Sequence, residues 1–521
     1  MLMAALGIVA TPAASRAAGP AAVALFQYAA APAADAPQAP AGPALPGNVL
    51  DPRRFMQLMA ARNAEIAYAQ LQADIADRGV EAESTVYQPT LYGGVRHEQR
   101  HRQRTVEEQL STLLSNASVL DENVNSVETG VRFRAFTGGE FSVGINNSDR
   151  RNNLIAQSTG QTLESSASVV ITMKQPLLKG AGRDVVETDL RVAELESSIG
   201  RWQYRQQLLK MGGDALGAYW QLQKAYLVHP IRLALLRNAR ESLQDTRELV
   251  RSGRVPATAE SEARTIVSTR ESDVYKSAQA ISEAEARIRV LLDLPPEDGK
   301  WTLGDWSDIS DPGAASFEAR WKQAVDASPS YRVAQLRVEQ NQYRLKFAEN
   351  QKLPQLDLQA SYGASGLARG QHDAVSLASR TRYPDWYVGV GFEMPIGSVT
   401  RASAQYEGQI LKLKQSELEA RNVRNSLAND LRSRSEGYEY TLRDVEQLRA
   451  DLASRTELLH ADEEAFRQGL APHARLLRRQ ADVLESRLRL LDGEARLHAA
   501  RTLLSMSEGT LLAEYGIEVS P

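Results

Sequence analysis

Apolar residues recur every seven positions along two stretches of the chain, and both stretches share one register. In the second half the series is Leu431, Tyr438, Val445, Leu452, Leu459 and Phe466; in the first half, 216 residues earlier, it is Ala215, Leu222, His229, Leu236, Leu243 and Val250. A second series follows each of these, with Val267, Val274, Ile281 and Ile288 in one half and Val483, Leu490, Leu497 and Leu504 in the other. A sustained period of seven predicts helices packed as coiled coils.

The predicted helices are unusually long. No proline interrupts residues 401–468, so at about 1.5 Å per residue this helix reaches roughly 100 Å. Its first-half counterpart, about residues 184–252, contains Pro230. Proline lacks an amide donor and clashes with the preceding turn, which predicts a kink. His229 beside it is interpreted as a packing residue rather than a ligand.

Four other segments alternate apolar and polar residues with a period of two, which predicts β-strands. They lie within residues 90–95, 166–178, 356–363 and 386–394. Such segments with aromatic ends are typical of transmembrane barrels, whereas a soluble β-sandwich produces the same alternation. Four strands cannot close a membrane barrel alone, so the barrel interpretation requires an oligomer.

The strands and helices together form a duplicated unit. Gln175-Pro176-Leu177 corresponds to Met394-Pro395-Ile396, and Gly253 and Pro256 correspond to Gly469 and Pro472. The first half has about 46 additional residues between its strands, and this insertion also alternates, with Val131, Phe133, Phe141, Val143 and Ile145. We expect a hairpin beyond the membrane, exposed because it contains Arg132, Arg134, Arg150 and Arg151.

This organisation divides the chain into five regions. We expect a leader or Ala/Pro-rich linker at 1–48, a first repeat at 49–300 with an extracellular insertion at about 98–165 and a helical tip near 253, an equatorial linker at 301–316, a second repeat at 317–508 with its tip near 469, and a tail at 509–521.

Composition removes several classes of function. The chain has no cysteine, which excludes disulfides and thiolate metal sites. A net charge of −4 without a dominant basic patch gives no indication of nucleic-acid binding. No run of 18 apolar residues is present, so a membrane-spanning form has to be a closed barrel.

Two alternatives remain. His97-Glu98-Gln99-Arg100-His101 has the H-E-x-x-H pattern of zinc peptidases, with Glu122 or Glu128 as a third ligand. The preceding residues are predicted to form a strand, and flanking arginines would repel a cation, so we expect no enzyme, metal or cofactor. A soluble coiled-coil scaffold explains the heptads but leaves the alternating strands unexplained.

The duplicated order of strand, Gln-Pro-Leu turn, very long helix, glycine tip and returning helix resembles the TolC-like outer-membrane efflux family (outer membrane factors). The resemblance covers about residues 50–515 and includes the strand-helix junctions at Pro176 and Pro395. It implies a mainly α protein with β: a homotrimer in which four strands per chain form a 12-stranded transmembrane barrel, continued by a coiled-coil α-helical barrel across the periplasm.

The resemblance also implies a function and partners. The chain would be the outer-membrane duct of a tripartite efflux or type I secretion system, passive and gated at its periplasmic helix tips. A periplasmic adaptor would bind the tips, and an inner-membrane pump or ABC transporter would supply energy. The corresponding tip residues are Arg251, Gly253, Arg254, Pro256, Arg467, Gly469, Leu470 and Pro472.

The entrance departs from the family pattern. Where well-known members carry acidic residues just after the second tip, this sequence aligns Arg475 and Arg478, with Arg479 beside them. We expect these arginines to surround the entrance with positive charge.

Overall fold

The computed structural model describes residues 49–106, 119–153, 163–295, 302–303, 316–397 and 400–517. Within these ranges the helices are α1 (Pro52–Arg62), α2 (Ala64–Ser84), α3 (Arg183–Val186), α4 (Thr188–Arg251), α5 (Ala257–Leu291), α6 (Phe317–Ala327), α7 (Pro329–Asn350), α8 (Gln371–Ser379), α9 (Arg401–Arg467), α10 (His473–Glu508) and α11 (Leu511–Glu514). The expected leader at 1–48 and most of the expected linker at 301–316 lie outside the described residues.

Eight strands accompany these helices. They are β1 (Val49–Leu50), β2 (Thr90–Gln103), β3 (Val119–Arg134), β4 (Glu140–Asn152), β5 (Glu164–Pro176), β6 (Thr302–Leu303), β7 (Gln355–Ala368) and β8 (Pro384–Glu393). Strands β1 and β6 form a short parallel pair, and the other six form one antiparallel sheet in the order β2-β3-β4-β5-β7-β8. The prediction of a mainly helical protein with a separate antiparallel sheet is confirmed.

The sheet differs from the sequence expectation in its strand count. The four predicted segments are present as β2, β5, β7 and β8, but β3 and β4 of the insertion lie between β2 and β5. Each of them is paired over most of its length on both sides, with Val131 opposite both Leu91 and Val143. The first half therefore contributes four strands to the sheet and the second half two, and the insertion is not a separate hairpin.

The long helices form two hairpins whose heptad residues face the partner helix. In the second hairpin, α9 and α10 enclose a core that includes Leu431, Tyr438 and Val445 with Leu497 and Leu504. The first hairpin, α4 and α5, has a corresponding core around Leu236, Leu243 and Val267. The helix α4 continues through Pro230 without ending, so the proline does not interrupt the helical span.

The largest core lies partway along the helical bundle. It joins Phe55, Met56 and Met59 of α1 to the middle of α4, where Leu216, Tyr219 and Leu222 are fully buried. The end of α5 and Leu511 and Leu512 of α11 complete this core. These contacts hold α1, near the N-terminal end of the described residues, and α11, near their C-terminal end, against the middle of α4.

Among the helices of the described ranges, none is both long and apolar enough to cross a membrane.

Candidate functional site

The two hairpin tips are built in the same way. The backbone of Gly253 has a φ of +74°, and that of Gly469 has a φ of +73°. In each tip the glycine amide donates to the carbonyl three residues back, and the next amide donates to the carbonyl five residues back. This pair of bonds is the Schellman motif, which requires a left-handed residue and therefore favours glycine. The chain therefore reverses direction at both glycines.

The tip side chains are mostly exposed. The exposed residues of the two tips are Arg251, Gly253, Arg254, Pro256, Arg467, Gly469, Leu470 and Pro472. Leu470 is the prominent apolar one, with 76% of its surface accessible. Pro256 and Pro472 are the N-cap residues of α5 and α10, where the absence of an amide donor costs no helical hydrogen bond.

The arginines that follow the second tip have a partner that the sequence analysis missed. A guanidinium nitrogen of Arg475 lies 2.7 Å from Oδ1 of Asp462, and Nε of Arg479 lies 2.9 Å from its Oδ2. Asp462 belongs to α9, and its side chain is only 6% exposed. Arg478 lines, together with Arg475, a cleft of about 660 Å³ between the two hairpins, and Arg478 forms no ion pair with another described residue. The cluster is therefore less positive than the three arginines alone suggest.

The two opposing influences on Asp462 can be separated. Burial by itself would raise the pKa of this carboxyl, but the hydrogen bonds from Arg479 and Arg475 outweigh it and hold the pKa below its usual value. Asp462 is thus a carboxylate over the physiological range, and it fastens α10 to α9 just above the tip.

A row of polar contacts joins the first hairpin to the second. Nδ1 of His473 lies 2.5 Å from Oδ2 of Asp245, and Nδ2 of Asn238 donates to the carbonyl oxygen of Leu477 over 2.9 Å. Nζ of Lys224 bonds Oδ1 of Asp492 at 2.5 Å. Because these residues lie on α4 and α10, any sliding of one hairpin past the other has to break them.

The first strand-helix junction is stabilised by hydrogen bonds. Pro176 ends β5, and the amide of Gly180 donates to Oδ1 of Asn350 over 2.7 Å. A few residues later Oε1 of Glu187 accepts hydrogen bonds from Arg183 and from the hydroxyl of Tyr87. The second junction contains Pro395, and α9 then begins at a capping box formed by Thr400 and Ser403. Both prolines lie where strand gives way to helix.

The sheet separates its side chains into an apolar and a polar face. The strand register places Trp386, Tyr362 and Ile171 in one row, and all three are about half exposed or more. The neighbouring row on the opposite face contains Tyr387, Ser361 and Thr172. An apolar face open to the surroundings beside a polar one is the arrangement of a lipid-facing barrel wall.

The zinc-peptidase alternative is wrong. His97 to His101 lie within β2 rather than on a helix, so the two imidazoles stand about 13 Å apart along the strand. Glu98 points to the opposite face and bonds Arg100 at 2.7 Å. Glu122 is held by Arg100 and Arg150, and Glu128 lies opposite Gly94. In the described part of the chain, no group of three potential ligands is arranged to hold a metal ion.

Residues 321–510 match the family model described as outer membrane efflux protein. No curated protein sequence matches the chain. Similar solved structures include the outer-membrane channel OprN, at 15% identity and a TM-score of 0.63. The match covers 88% of this chain and 89% of the OprN chain. The Campylobacter jejuni outer membrane channel CmeC matches at 12% identity and a TM-score of 0.61, and the match covers 90% of this chain and 87% of the CmeC chain.

The open-state outer membrane channel MtrE of Neisseria gonorrhoeae matches at 12% identity and a TM-score of 0.59, with 88% of each chain covered. Identities this low establish the fold alone, and the family match is confined to residues 321–510 in the second half. Residues 321–510 therefore belong to the outer membrane efflux protein family, and the chain as a whole has the fold of the outer-membrane channels named above.

Proposed function

We propose that three copies of this chain form the outer-membrane duct of a tripartite efflux or type I secretion system. The sheets join into a barrel in the membrane, and the helical hairpins extend into the periplasm. The observation that carries this proposal is the sheet itself. Its apolar face is exposed, and its edge strands β2 and β8 each have one neighbour among the described strands.

An open sheet edge presents unpaired amide and carbonyl groups, which are costly in lipid. A single chain leaves two such edges, and a ring of identical chains leaves none. Oligomerisation therefore satisfies the backbone and turns the polar face inward, towards a water-filled passage. Transport through it is passive, since the chain has no nucleotide-binding motif, and a pump or ABC transporter supplies the energy.

The hairpin tips are proposed as both the entrance and the docking surface for the adaptor. Arg475, Arg478 and Arg479 line the entrance, with Asp462 holding two of them in place. Arg254 and Leu470 lie beside the two glycines and are exposed, so they are available to contact an adaptor hairpin.

The experiment uses a strain that lacks this channel but retains its adaptor and pump. The wild-type gene is expected to restore export, and the protein is expected in the outer-membrane fraction as a cross-linked trimer. The double variant Arg254→Glu with Leu470→Asp is expected to assemble in the same way without restoring export. Arg421→Glu, an exposed charge reversal far from the tips, is the matched control and should restore it. A tip variant that exports normally would overturn the docking surface, and protein that is absent from the outer-membrane fraction would overturn the duct.

A further inference from the structure

The inserted strands β3 and β4 share the apolar face of the other four strands. Register places Leu91, Val131 and Val143 in one row, and Val143 lies opposite Ile171 of β5. The next row towards the helices contains Phe133, Phe141 and Met173, and the two phenylalanine rings stack at 5.3 Å between centroids. Val131, Val143 and Ile171 are exposed to nearly the same extent, at 40%, 44% and 48%. The apolar band therefore runs without interruption across the insertion.

The polar face is also continuous through the insertion. The Tyr92 ring of β2 lies across Gly130 of β3 and Gly144 of β4, so closely that a Cβ on either glycine would meet it at 2.6 to 2.7 Å. Farther along, Glu122 of β3 binds Arg100 of β2 and Arg150 of β4 at 3.6 and 3.2 Å. These contacts fasten three strands side by side, and they require the glycines and the carboxylate to face the same side.

The two edges of the sheet are matched to each other. Neighbouring strands alternate in direction across all six. Because six is even, β8 of one copy and β2 of the next run antiparallel when they meet. Both edges also carry strongly exposed apolar side chains on the same face, with Leu91 at 76% and Val95 at 82% on β2 and Trp386 at 68% and Val390 at 64% on β8. The band would continue across the joint.

We infer that the inserted hairpin is part of the membrane wall, so that three chains close a barrel of 18 strands rather than the 12 that the family resemblance implies. This inference rests on the proposed trimeric duct. The diameter of a barrel grows roughly in proportion to its strand number, so the outlet would be about 1.5 times as wide as a 12-stranded one. The outlet then admits whatever passes the helical entrance, and the tips set the size limit.

The arginines of the insertion fit this wall. Arg132 and Arg134 lie on the polar face, and the Arg132 guanidinium stands 5.2 Å from the centre of the Tyr92 ring. In a barrel that face borders water, so the arginines line the passage. The outer ends of β2 and β4 are polar on both faces, from His97 to Gln103 and from Asn146 to Asn152, and extend the wall beyond the lipid.

The test is site-directed spin labelling of the full-length protein in lipid vesicles, which the absence of native cysteines makes direct. Single cysteines replace Val131 and Val143 on the apolar face and Ser142 on the polar face. Val390→Cys in β8, on the same face and two rows nearer the helices, is the control for lipid contact. Labels at 131, 143 and 390 are expected to collide more with dissolved oxygen than with a water-soluble nickel chelate, and the label at 142 is expected to do the reverse.

Two outcomes contradict different claims. Labels at 131 and 143 that prefer nickel, while 390 prefers oxygen, would place the hairpin outside the membrane and overturn the 18-stranded wall but leave the duct intact. A label at 390 that prefers nickel would overturn the duct itself. Electron cryomicroscopy of the same vesicles supplies an independent count, since 18 strands support the inference and 12 refute it.

Discussion

Asp462 and Arg475 face each other across the second helical hairpin, with carboxylate and guanidinium 2.7 Å apart, just above the Gly469 tip. Asp462 also holds Arg479 at 2.9 Å. One buried carboxylate thus organises two of the three arginines that the sequence assigns to the entrance. The charge of the proposed entrance and the stability of the tip therefore depend on the same residue.

Replacing Asp462 by Asn should loosen the tip and make the channel more selective for anions. The substitution removes the negative charge that offsets Arg475 and Arg479. Arg479 then keeps only its longer contact with Asp482, at 3.7 Å. Planar-bilayer recordings are expected to show longer open times and a reversal potential shifted towards anion selectivity. Glu464→Gln, which removes an exposed charge paired with Arg467, is the control. Equal selectivity in wild type and Asp462→Asn would remove these arginines from the entrance.

Acid should weaken the same ion pairs of Asp462 with Arg475 and Arg479. The folded-state pKa of Asp462 lies below its ordinary value of 3.8. The stabilisation of the tip by these ion pairs is therefore complete above pH 3.8 and is lost as the pH falls through the lowered pKa. Wild-type open times are therefore expected to approach those of Asp462→Asn only below about pH 4. A difference in open time between wild type and Asp462→Asn that already disappears between about pH 7 and pH 5, where the carboxylate stays ionised, would contradict the role of this ion pair.

Replacing a tip glycine by alanine should lower the stability of the protein, whereas replacing a helical glycine by alanine should raise it. Gly469 has a φ of +73° and free space around its Cβ position, so Gly469→Ala costs only the left-handed backbone, about 1–2 kcal/mol. Gly437 within α9 also has free space but has no positive φ, so Gly437→Ala should stabilise by about 0.5–1 kcal/mol. Unfolding of the two variants in detergent, followed by circular dichroism, checks the difference in sign. A stabilising Gly469→Ala would contradict the tip geometry.

Sequence periodicity was sufficient to predict the helical part of this fold because each helix marks its own packing face with a seven-residue repeat. The seven-residue series placed Leu431, Tyr438 and Val445 in the hairpin core, and the glycines marked both reversals. The order of the strands in the sheet could not be predicted from the sequence in this way. Alternation in β3 and β4 was visible, but alternation assigns faces and not neighbours. Arg132 and Arg134 then suggested a site outside the membrane, although a barrel places such residues on its inner face.

Asp462 was missed for a related reason. It lies 13 residues before Arg475, on the opposite arm of the hairpin, so the contact depends on how two helices meet. Counting positions from the Gly469 turn would have brought the two residues to the same level. The same applies to Asp245 and His473, which belong to different hairpins.

The packing of Tyr92 predicts a conditional tolerance at two glycines. A Cβ at Gly144 would meet the Tyr92 hydroxyl at 2.7 Å and otherwise only atoms beyond 3.4 Å, whereas a Cβ at Gly130 would also meet the backbone oxygen of Val143 at 2.6 Å. Tyr92→Ala should therefore rescue the assembly of Gly144→Ala but not that of Gly130→Ala. The yield of heat-resistant oligomer in the outer membrane measures this. Rescue of both glycine variants would contradict the β3–β4 pairing at this point.

Protonation of His498 should destabilise the protein in mild acid. This imidazole stacks on Trp220 with 3.9 Å between ring centroids, and burial lowers its pKa from 6.5 to about 4. Its folded pKa lies below the unfolded one, so the unfolded chain binds the extra proton and stability is lost as pH falls from 6.5 to 4. The full loss is about 3 kcal/mol. Melting temperatures of wild type and His498→Phe should diverge over this range, and parallel curves would contradict the burial of the ring.

Single-channel recording in planar bilayers, with protein extracted from the outer membrane, tests the central claim most directly. Three copies around one passage predict discrete conductance steps of one size, with longer open times when Asp462 is replaced by Asn. Outer-membrane oligomer that inserts into the bilayer without producing such steps, in both wild type and Asp462→Asn, would contradict the channel.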